Sequence, residues 1–372
     1  MSNPPTPPSR RARPSALALT TLGVVLAIGL GVLYLALSHR AAPPVQPEVV
    51  VALPPPPPQP ASNGLVPPAL GQTLSPLPGP LPSPPPAPSQ PLPAQLPPPA
   101  AAPSQPLPPA PDPALVAGSA FGPLPVIAPD GRQAWRVYAR PPAAGPRKPR
   151  VAILLAGLGL SASQTQAAIQ LPGEISLAFL PHAPSLAPKL AEARAAGHEV
   201  LLHLPMEPRN YPNDDPGPHA LLTSLTPAAN LERLEWSLSR GVGYVGVVNR
   251  TGARFAESDT DLRPVLLSLR DRGLMYLDAS EAAGRNALKL ADQLRLPRTG
   301  IDLRIDTEAA RGAIDARLAE LEQMARQVGQ AIGLGEPFPV TIERLAQWAA
   351  TLAAKGIELA PVSAIPSQPE RP

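Results

Sequence analysis

The chain has 372 residues, of which 60 are proline, and its formal net charge at pH 7 is +3. Proline makes up about 5% of an average protein, so part of this chain is not an ordinary globular domain. The absence of cysteine excludes disulfides, thiolate zinc sites, iron–sulfur clusters and a cysteine nucleophile.

The charge is distributed unevenly along the chain. Residues 1–150 carry ten Lys or Arg against three acids, a net +7, whereas residues 151–372 carry 21 Lys or Arg against 25 acids, a net −4. A protein that binds nucleic acid usually concentrates basic residues on its folded domain. Here the excess of basic residues precedes the segment with a domain-like pattern, so we expect no nucleic-acid partner.

An uncharged run of 22 residues, Ala16–Leu37, predicts a transmembrane helix, because a helix needs about 20 apolar residues to cross a bilayer. Three arginines precede the run closely and one follows it. The positive-inside rule then places residues 1–15 in the cytoplasm and the rest of the chain outside it. We predict a single-pass anchor over residues 16–38 in the inner (cytoplasmic) membrane, with a periplasmic C-terminal domain. The alternative is a cleaved signal peptide, whose apolar core usually has only about 7–15 residues.

Residues 39–128 predict a proline-rich, disordered linker. They hold more than half of the 60 prolines, and residues 41–128 contain only two charged residues. Proline fixes φ and lacks an N–H donor, which favours extended polyproline II conformations over a packed core. We interpret the segment as a spacer; the alternative is a docking site for a proline-binding module. A short approach segment, 129–148, leads into the domain, and residues 367–372 form a tail.

The domain predicted over residues 149–366 alternates short apolar runs with amphipathic stretches, which indicates an α/β fold with parallel strands. The predicted strands are Val151–Leu155, Ile175–Leu180, Glu199–Leu204, Tyr244–Val248, Leu274–Leu277, Gly300–Ile305, Gln330–Leu334 and Ile357–Ala360. The predicted helices are Leu186–Ala196, Pro227–Arg240, Asp261–Asp271, Ile314–Val328 and Ile342–Ala354. The pattern predicts a deformed (β/α) barrel of seven or eight parallel strands, with an open doubly wound sheet as the alternative.

In such a barrel, functional side chains lie at the carboxyl ends of the strands. The candidate pocket residues at these positions are His203, Glu207, Asn249, Arg250, Arg254, Asp278, Asp306 and Glu336. None is assigned a catalytic role, and no metal ligand is assigned. The chain has no Gly-x-Ser-x-Gly elbow, no phosphate-binding Walker loop and no His-Glu-x-x-His helix. The sequence up to this point therefore indicates a polar rim without indicating a reaction.

Each candidate also has a structural interpretation. His198 and His203 are five positions apart, so they lie on opposite faces of a regular strand and cannot share one metal there. Asp278 and Asp306 could equally cap the helices that follow their strands. Gly157 and Gly159 lack the third glycine of a dinucleotide-binding loop and fit a tight turn. If Arg250 and Arg254 both point into the mouth, paired guanidiniums would suit a carboxylate or phosphate ligand.

Several segments of the domain match, in order, the pattern of one known family. They are VAILLAGLGLSASQTQAAIQLPGEISLAFLP, GHEVLLHLPMEP, DDPGPHALL, GYVGVVNRTGARF, RGLMYLDAS, IGLGEPFPVTIERLAQW and GIELAPVSAIP. Over about residues 149–366 the chain resembles the divergent polysaccharide deacetylase family. The resemblance implies a NodB-like deformed (β/α) barrel, related to metal-dependent carbohydrate esterases, in a cell-envelope setting.

The resemblance is incomplete where the family would hold a divalent metal. Family members that are competent to bind metal carry Asp-Asp-Leu-Gly after the first strand, where this chain has Ala156-Gly157-Leu158-Gly159. They carry Asn-His-Met-Gly-Ser after the fourth strand, where this chain has Asn249-Arg250-Thr251-Gly252-Ala253. The implied ligand positions are therefore Ala156, Gly157 and Arg250, so we expect no metal cofactor.

Three hypotheses about function follow. The first is a pseudoenzyme that binds an envelope glycan, such as peptidoglycan, without hydrolysing it. The second is an active deacetylase with a metal site rearranged onto His203, Glu207, Asp278 or Asp306. The third is a non-catalytic scaffold that contacts an envelope protein. In all three, the expected associations are with the membrane through one helix and with components of the envelope.

Overall fold

The computed structural model describes residues 105–141, 148–280, 282 and 285–365. The predicted anchor over residues 16–38 and the larger part of the predicted linker lie outside the described residues, as does the tail. Within the described ranges, no helix is long and apolar enough to cross a membrane.

Nine parallel strands form the main sheet of the described residues, and two antiparallel strands form a separate hairpin. The hairpin consists of β1 and β2. The strands are β1 (Val116–Ser119), β2 (Gly122–Pro125), β3 (Arg150–Leu158), β4 (Ser176–Phe179), β5 (Val200–His203), β6 (Gly246–Asn249), β7 (Met275–Asp278), β8 (Arg298–Gly300), β9 (Leu303–Arg304), β10 (Gln330–Gly335) and β11 (Glu358–Leu359).

The order of hydrogen-bonded strands in the main sheet is β8-β7-β6-β5-β4-β3-β10-β9, and β11 also pairs with β3. Strands β3 to β8 are therefore neighbours in the order in which they occur along the chain, and β10 returns beside β3. This is the connectivity of a curled, barrel-like sheet. In a doubly wound sheet, the order in which successive strands are added reverses at an internal strand, and the order seen here has no such reversal.

The two edges of the sheet meet at residues 298–304. The first half of this segment pairs with β7, and the Ile301 N–H donates to the carbonyl of Asp278. The second half pairs with β10, and the Asp302 N–H donates to the carbonyl of Ile332. We call this segment the seam. It replaces the single strand predicted over Gly300–Ile305, which explains why the sheet has nine strands and not the predicted seven or eight.

Helices follow most of the strands and cover the outside of the sheet. They are α1 (Ala134–Val137), α2 (Ala162–Ile169), α3 (Leu186–Ala195), α4 (Pro227–Leu238), α5 (Ala253–Glu257), α6 (Asp259–Asp271), α7 (Asn286–Gln293), α8 (Arg311–Val328) and α9 (Pro339–Leu352). The five predicted helices correspond to α3, α4, α6, α8 and α9. The other four helices, α1, α2, α5 and α7, were not predicted, because each has eight residues or fewer, which is too short to show a clear helical periodicity.

The local sequence explains where the helices begin and end. Thr226 caps α4 by accepting a hydrogen bond from the Ala229 N–H, and Pro227 occupies the first helical position. The side chain of Ser258 caps α6 in the same way, accepting from the Asp261 N–H. Helix α8 ends at Gly329, whose φ of 89° lies in the left-handed region that glycine tolerates.

The core lies between the sheet and its helices and is built mainly from Leu, Val, Ile and Ala. Strand β3 is the centre of this core: residues 151–156 are completely buried. A strand buried on both faces forms a continuous apolar run, as parallel strands covered by helices usually do. The alternating pattern of the sequence therefore correctly predicted a parallel α/β sheet.

The structure corrects the end of the predicted linker. Within residues 105–128, β1 pairs with β2, and the side chains of Leu107, Leu115 and Leu124 are buried in the domain. The high proline content of this segment favoured a linker, so the burial of these leucines was not predicted. We call residues 105–141 the N-terminal strap; it packs against the domain, with the Leu107 N–H donating to the carbonyl of Arg194 at 3.0 Å.

Candidate functional site

An ion pair spans the mouth of the curled sheet, at the carboxyl ends of the strands. Arg250 directly follows β6 and Glu336 directly follows β10, and these two strands are separated in the sheet by β5, β4 and β3. Arg250 Nη1 donates a hydrogen bond to Glu336 Oε1. Arg304, on β9, places its Nη1 3.5 Å from the same Glu336 oxygen. The carboxylate of Glu336 therefore lies between two guanidinium groups.

Asp306 holds the backbone that carries Glu336. Its Oδ2 accepts hydrogen bonds from the Glu336 N–H at 2.6 Å and from Thr341 Oγ1 at 3.0 Å. Its Oδ1 is buried and has no hydrogen-bond partner within the described ranges. Burial raises the pKa of the Asp306 carboxyl. Asp306 thus positions the β10 end and keeps one unpaired oxygen.

His203 ends β5 and is 4% exposed. Neither of its ring nitrogens has a hydrogen-bond partner among the described residues. Burial, together with the nearby Arg250 guanidinium and His182, lowers the pKa of His203 to about 3. The imidazole is therefore neutral at physiological pH. Its two unpaired nitrogens are unusual, because buried polar atoms in proteins are nearly always paired.

Asn249 and Asp278 end neighbouring strands but make local contacts. Asn249 Nδ2 donates to the Tyr276 hydroxyl at 3.1 Å, and Asn249 Oδ1 accepts from the Gly252 N–H at 3.0 Å. Asp278 Oδ1 accepts from the Ser280 N–H at 3.2 Å and from its hydroxyl at 2.7 Å. Burial raises the pKa of Asp278. Both side chains shape the loops that leave β6 and β7.

Glu207 anchors the long loop that connects β5 to α4. Its Oε2 accepts hydrogen bonds from the Thr223 N–H at 2.6 Å and from the Thr223 hydroxyl at 2.7 Å. Arg254 places Nη1 3.3 Å from the other oxygen of Glu207. Arg254 therefore pairs with Glu207, and the second guanidinium beside Arg250 belongs to Arg304.

The structure joins four of these residues directly, Arg250, Arg304, Asp306 and Glu336, and places His203 beside Arg250. We call these five residues the mouth cluster. Sequence reasoning missed Arg304, because the split of the seam into two short strands hides which of its residues face the mouth. It also missed His182, which lies in the loop after β4 and could have been found by inspecting that strand end as the others were inspected.

The positions at which the resemblance implies a divalent metal carry no ligating side chain. Ala156 is completely buried on β3, and Gly157 has a φ of 88° and lies against Pro337. Arg250 carries a positive charge, which disfavours a neighbouring dication. Among the described residues, no group of three His, Asp or Glu side chains is arranged to hold a metal ion. The residues present do not fit the metal.

The sequence profile of divergent polysaccharide deacetylases matches residues 153–365, more than half of the chain. The chain belongs to this family. Divergent polysaccharide deacetylases thus include a member whose mouth is crossed by an arginine–glutamate pair, and the profile match extends from within β3 to beyond β11.

The chain is also similar to three uncharacterized proteins. The uncharacterized protein YibQ of Escherichia coli (strain K12) is 25% identical over 222 residues, 59% of this chain and 68% of that protein. An uncharacterized protein of Haemophilus influenzae (strain Rd) is 25% identical over 194 residues, 52% of this chain and 68% of that protein. The crystal structure of an uncharacterized protein from Agrobacterium tumefaciens C58 is 38% identical, with a TM-score of 0.63, and covers 65% of this chain and 99% of that one.

Proposed function

We propose that this divergent polysaccharide deacetylase domain binds an envelope carbohydrate at its mouth and does not deacetylate it by a metal-dependent route. The observation that carries the proposal is the ion pair between Arg250 and Glu336, which crosses the mouth where the family pattern has a histidine. The pseudoenzyme hypothesis is therefore favoured over a rearranged metal site.

The chemistry of deacetylation supports this choice. Removing an N-acetyl group requires a metal-bound water that attacks the amide carbonyl, with a base and an acid to move protons. Ala156 and Gly157 cannot ligate a metal, and Arg250 would repel one. His203 could supply a ring nitrogen, but Glu207, Asp278 and Asp306 each use carboxylate oxygens in the protein's own hydrogen bonds. No catalytic role is assigned to these residues.

The mouth nevertheless keeps features of a binding site. Arg250 and Glu336 are 26% and 27% exposed, so a ligand in solution can reach them. Among the described residues, buried polar atoms of His203, Arg250 and Asp306 have no hydrogen-bond partner. A buried donor or acceptor without a partner costs about 1–3 kcal/mol. Carbohydrate hydroxyls both donate and accept hydrogen bonds, so a sugar is suited to a surface that mixes donors and acceptors.

Binding and turnover are tested together on the purified full-length chain. We expect the chain to co-sediment with insoluble peptidoglycan, to contain no stoichiometric zinc by elemental analysis, and to release no acetate from N-acetylated glycans. Stoichiometric metal accompanied by acetate release would contradict the proposal and support an active deacetylase. No retention on peptidoglycan would instead favour the protein scaffold.

We also propose that the domain acts while tethered to the inner membrane. The apolar run over residues 16–38 and the arginines before it support this location. A linker of the predicted kind would confine the domain to a shell near the membrane and raise its local concentration there. The full-length chain should stay in the membrane fraction after alkaline extraction, and a chain lacking residues 1–38 should not. Release of the full-length chain from the membrane fraction, as expected for the chain lacking residues 1–38, would contradict the tether.

A further inference from the structure

The mouth cluster already holds one carboxylate, and it is the protein's own. The side chain of Glu336 lies between the guanidinium groups of Arg250 and Arg304, and one oxygen faces both. All three side chains are only about a quarter exposed, at 26%, 27% and 24% for Arg250, Glu336 and Arg304. Partial burial strengthens charge–charge contacts relative to those in open solvent. The arrangement is a formed carboxylate site that remains open to solvent.

The guanidinium of Arg250 is not fully used by this one carboxylate. A guanidinium presents five N–H donors in a planar fork, and it binds a carboxylate best through two parallel hydrogen bonds. Arg250 donates to Glu336 through Nη1 alone, and its Nε is buried without a partner among the described residues.

The other ionisable groups at the mouth do not supply the missing partner to Arg250. Asp306 directs one oxygen to the Glu336 N–H and to Thr341, on the β10 side of the mouth. His203 lies beside Arg250 but is neutral. Arg254 is engaged with Glu207. Arg250 thus keeps one donor, Nε, without a partner among the described residues.

We propose that the mouth recognises a carboxylate on its carbohydrate ligand, that this carboxylate binds Arg250, and that Glu336 holds the site in the ligand-free state. The inference rests on the proposed function and specifies its ligand class, an acidic sugar. On binding, the ligand carboxylate replaces Glu336 at Arg250. Glu336 keeps its contact with Arg304, so neither acid is left without a cation.

A matched pair of ligands tests this directly. One ligand is the disaccharide of N-acetylglucosamine and N-acetylmuramic acid, which carries a lactyl carboxylate. The other is the methyl ester of the same disaccharide, which has the same sugars and no charge. We expect the full-length chain to bind the acid about tenfold or more tightly than the ester in calorimetric titration, because a charge-assisted pair is lost in the ester. The preference should weaken as the salt concentration rises.

Two variants assign the effect to the mouth cluster. Arg250→Gln should bind acid and ester equally, because the cation is gone. Glu336→Gln should bind the acid about threefold or more tightly than the unaltered chain does, because the competing carboxylate is removed while its shape is kept. The matched control is Glu343→Gln, which breaks an exposed pair with Arg311 on the outer helices and should leave both affinities unchanged. Circular dichroism verifies that each variant is folded.

The outcomes separate this inference from the proposed function. Equal affinity of the unaltered chain for acid and ester would overturn the carboxylate inference and leave carbohydrate binding standing. If the chain binds neither of the two disaccharides and does not bind peptidoglycan, both the carboxylate inference and the proposed function are overturned. The ligand pair is measured on the unaltered chain, so the inference stays testable if Arg250→Gln does not fold. Weaker binding of the acid by Glu336→Gln would also overturn it, because Glu336 would then contact the ligand itself.

Discussion

Two buried ionisable residues on the same stretch of chain show the difference between a structural and a functional environment. Glu199 precedes β5, at the base of the barrel, and both of its oxygens accept hydrogen bonds. The donors are the Ser363 N–H at 3.2 Å, the Ser363 hydroxyl, the Ser176 hydroxyl at 3.4 Å and the Arg140 N–H at 3.3 Å. His203 ends β5, at the mouth, and neither ring nitrogen is paired within the described ranges. The protein's own donors thus satisfy the buried carboxylate at the base, whereas the buried imidazole at the mouth has no such partner among the described residues.

Replacing Glu199 by Gln should change how stability depends on pH. Burial raises the pKa of Glu199 above its ordinary value of 4.5. The folded chain therefore keeps this proton to higher pH than the unfolded chain, and the free energy of unfolding falls as pH rises from 4.5 toward the raised pKa. Glu199→Gln lacks that decline. Because an amide offers only one acceptor oxygen, the variant should also be destabilised, by about 1–3 kcal/mol.

Urea unfolding across this pH range measures the effect. The stability deficit of Glu199→Gln should be largest near pH 4.5 and shrink as pH rises, since only the unaltered chain loses stability from this group. Glu192→Gln changes an exposed glutamate on α3 and should follow the unaltered chain throughout. A Glu199→Gln deficit that is constant with pH would contradict a raised pKa.

At the scale of elements, the seam determines how the sheet joins its two edges. Asp302 lies where residues 298–304 change partner from β7 to β10. Its N–H donates to the Ile332 carbonyl at 3.0 Å, and its Oδ2 accepts from the Ile332 N–H at 2.9 Å. The side chain thus provides an acceptor that a regular strand would provide from its backbone. A strand of only two residues, β9, is stabilised in this way.

Asp302→Ala should weaken the seam. The Ile332 N–H would lose its acceptor, which we expect to lower the free energy of unfolding by about 1–3 kcal/mol. Hydrogen exchange at β10 should become faster, while exchange at β4 and β5 should change little. Asp302→Asn retains a carbonyl oxygen at the same place and should restore most of the protection. Unchanged exchange at β10 in the alanine variant would show that the seam does not depend on this contact.

At the scale of the whole described domain, one buried arginine helps to hold the N-terminal strap. Arg194 on α3 is 3% exposed. Its Nη1 donates to the carbonyls of Tyr138 and Gly243, each at 3.0 Å, and its Nη2 donates to the carbonyl of Pro108 at 2.9 Å. Two of these three acceptors belong to the strap. The side chain therefore joins the segment before the barrel to the barrel itself.

Arg194→Ala should release the strap. Three carbonyls would lose their donor, two of them in buried hydrogen bonds, so we expect a destabilisation of about 2–4 kcal/mol. Limited proteolysis should then cleave within residues 105–141, whereas the unaltered chain should resist cleavage there. Arg270→Ala removes a partly exposed arginine whose side chain contacts the adjacent Asp271 and serves as the control. Equal resistance of Arg194→Ala and the control would contradict this role.

The amino-acid sequence by itself determined the order and type of most elements, because alternation of apolar runs with helical periodicity depends on residues close together in the chain. It also placed His203, Arg250, Asp306 and Glu336 at strand ends. Only the tertiary structure decided that Arg250 meets Glu336, 86 residues later, that Arg304 joins them and Arg254 does not, and that leucines of a proline-rich segment are buried. These outcomes depend on strand register and on the curl of the sheet, which bring distant residues together and which no local pattern records.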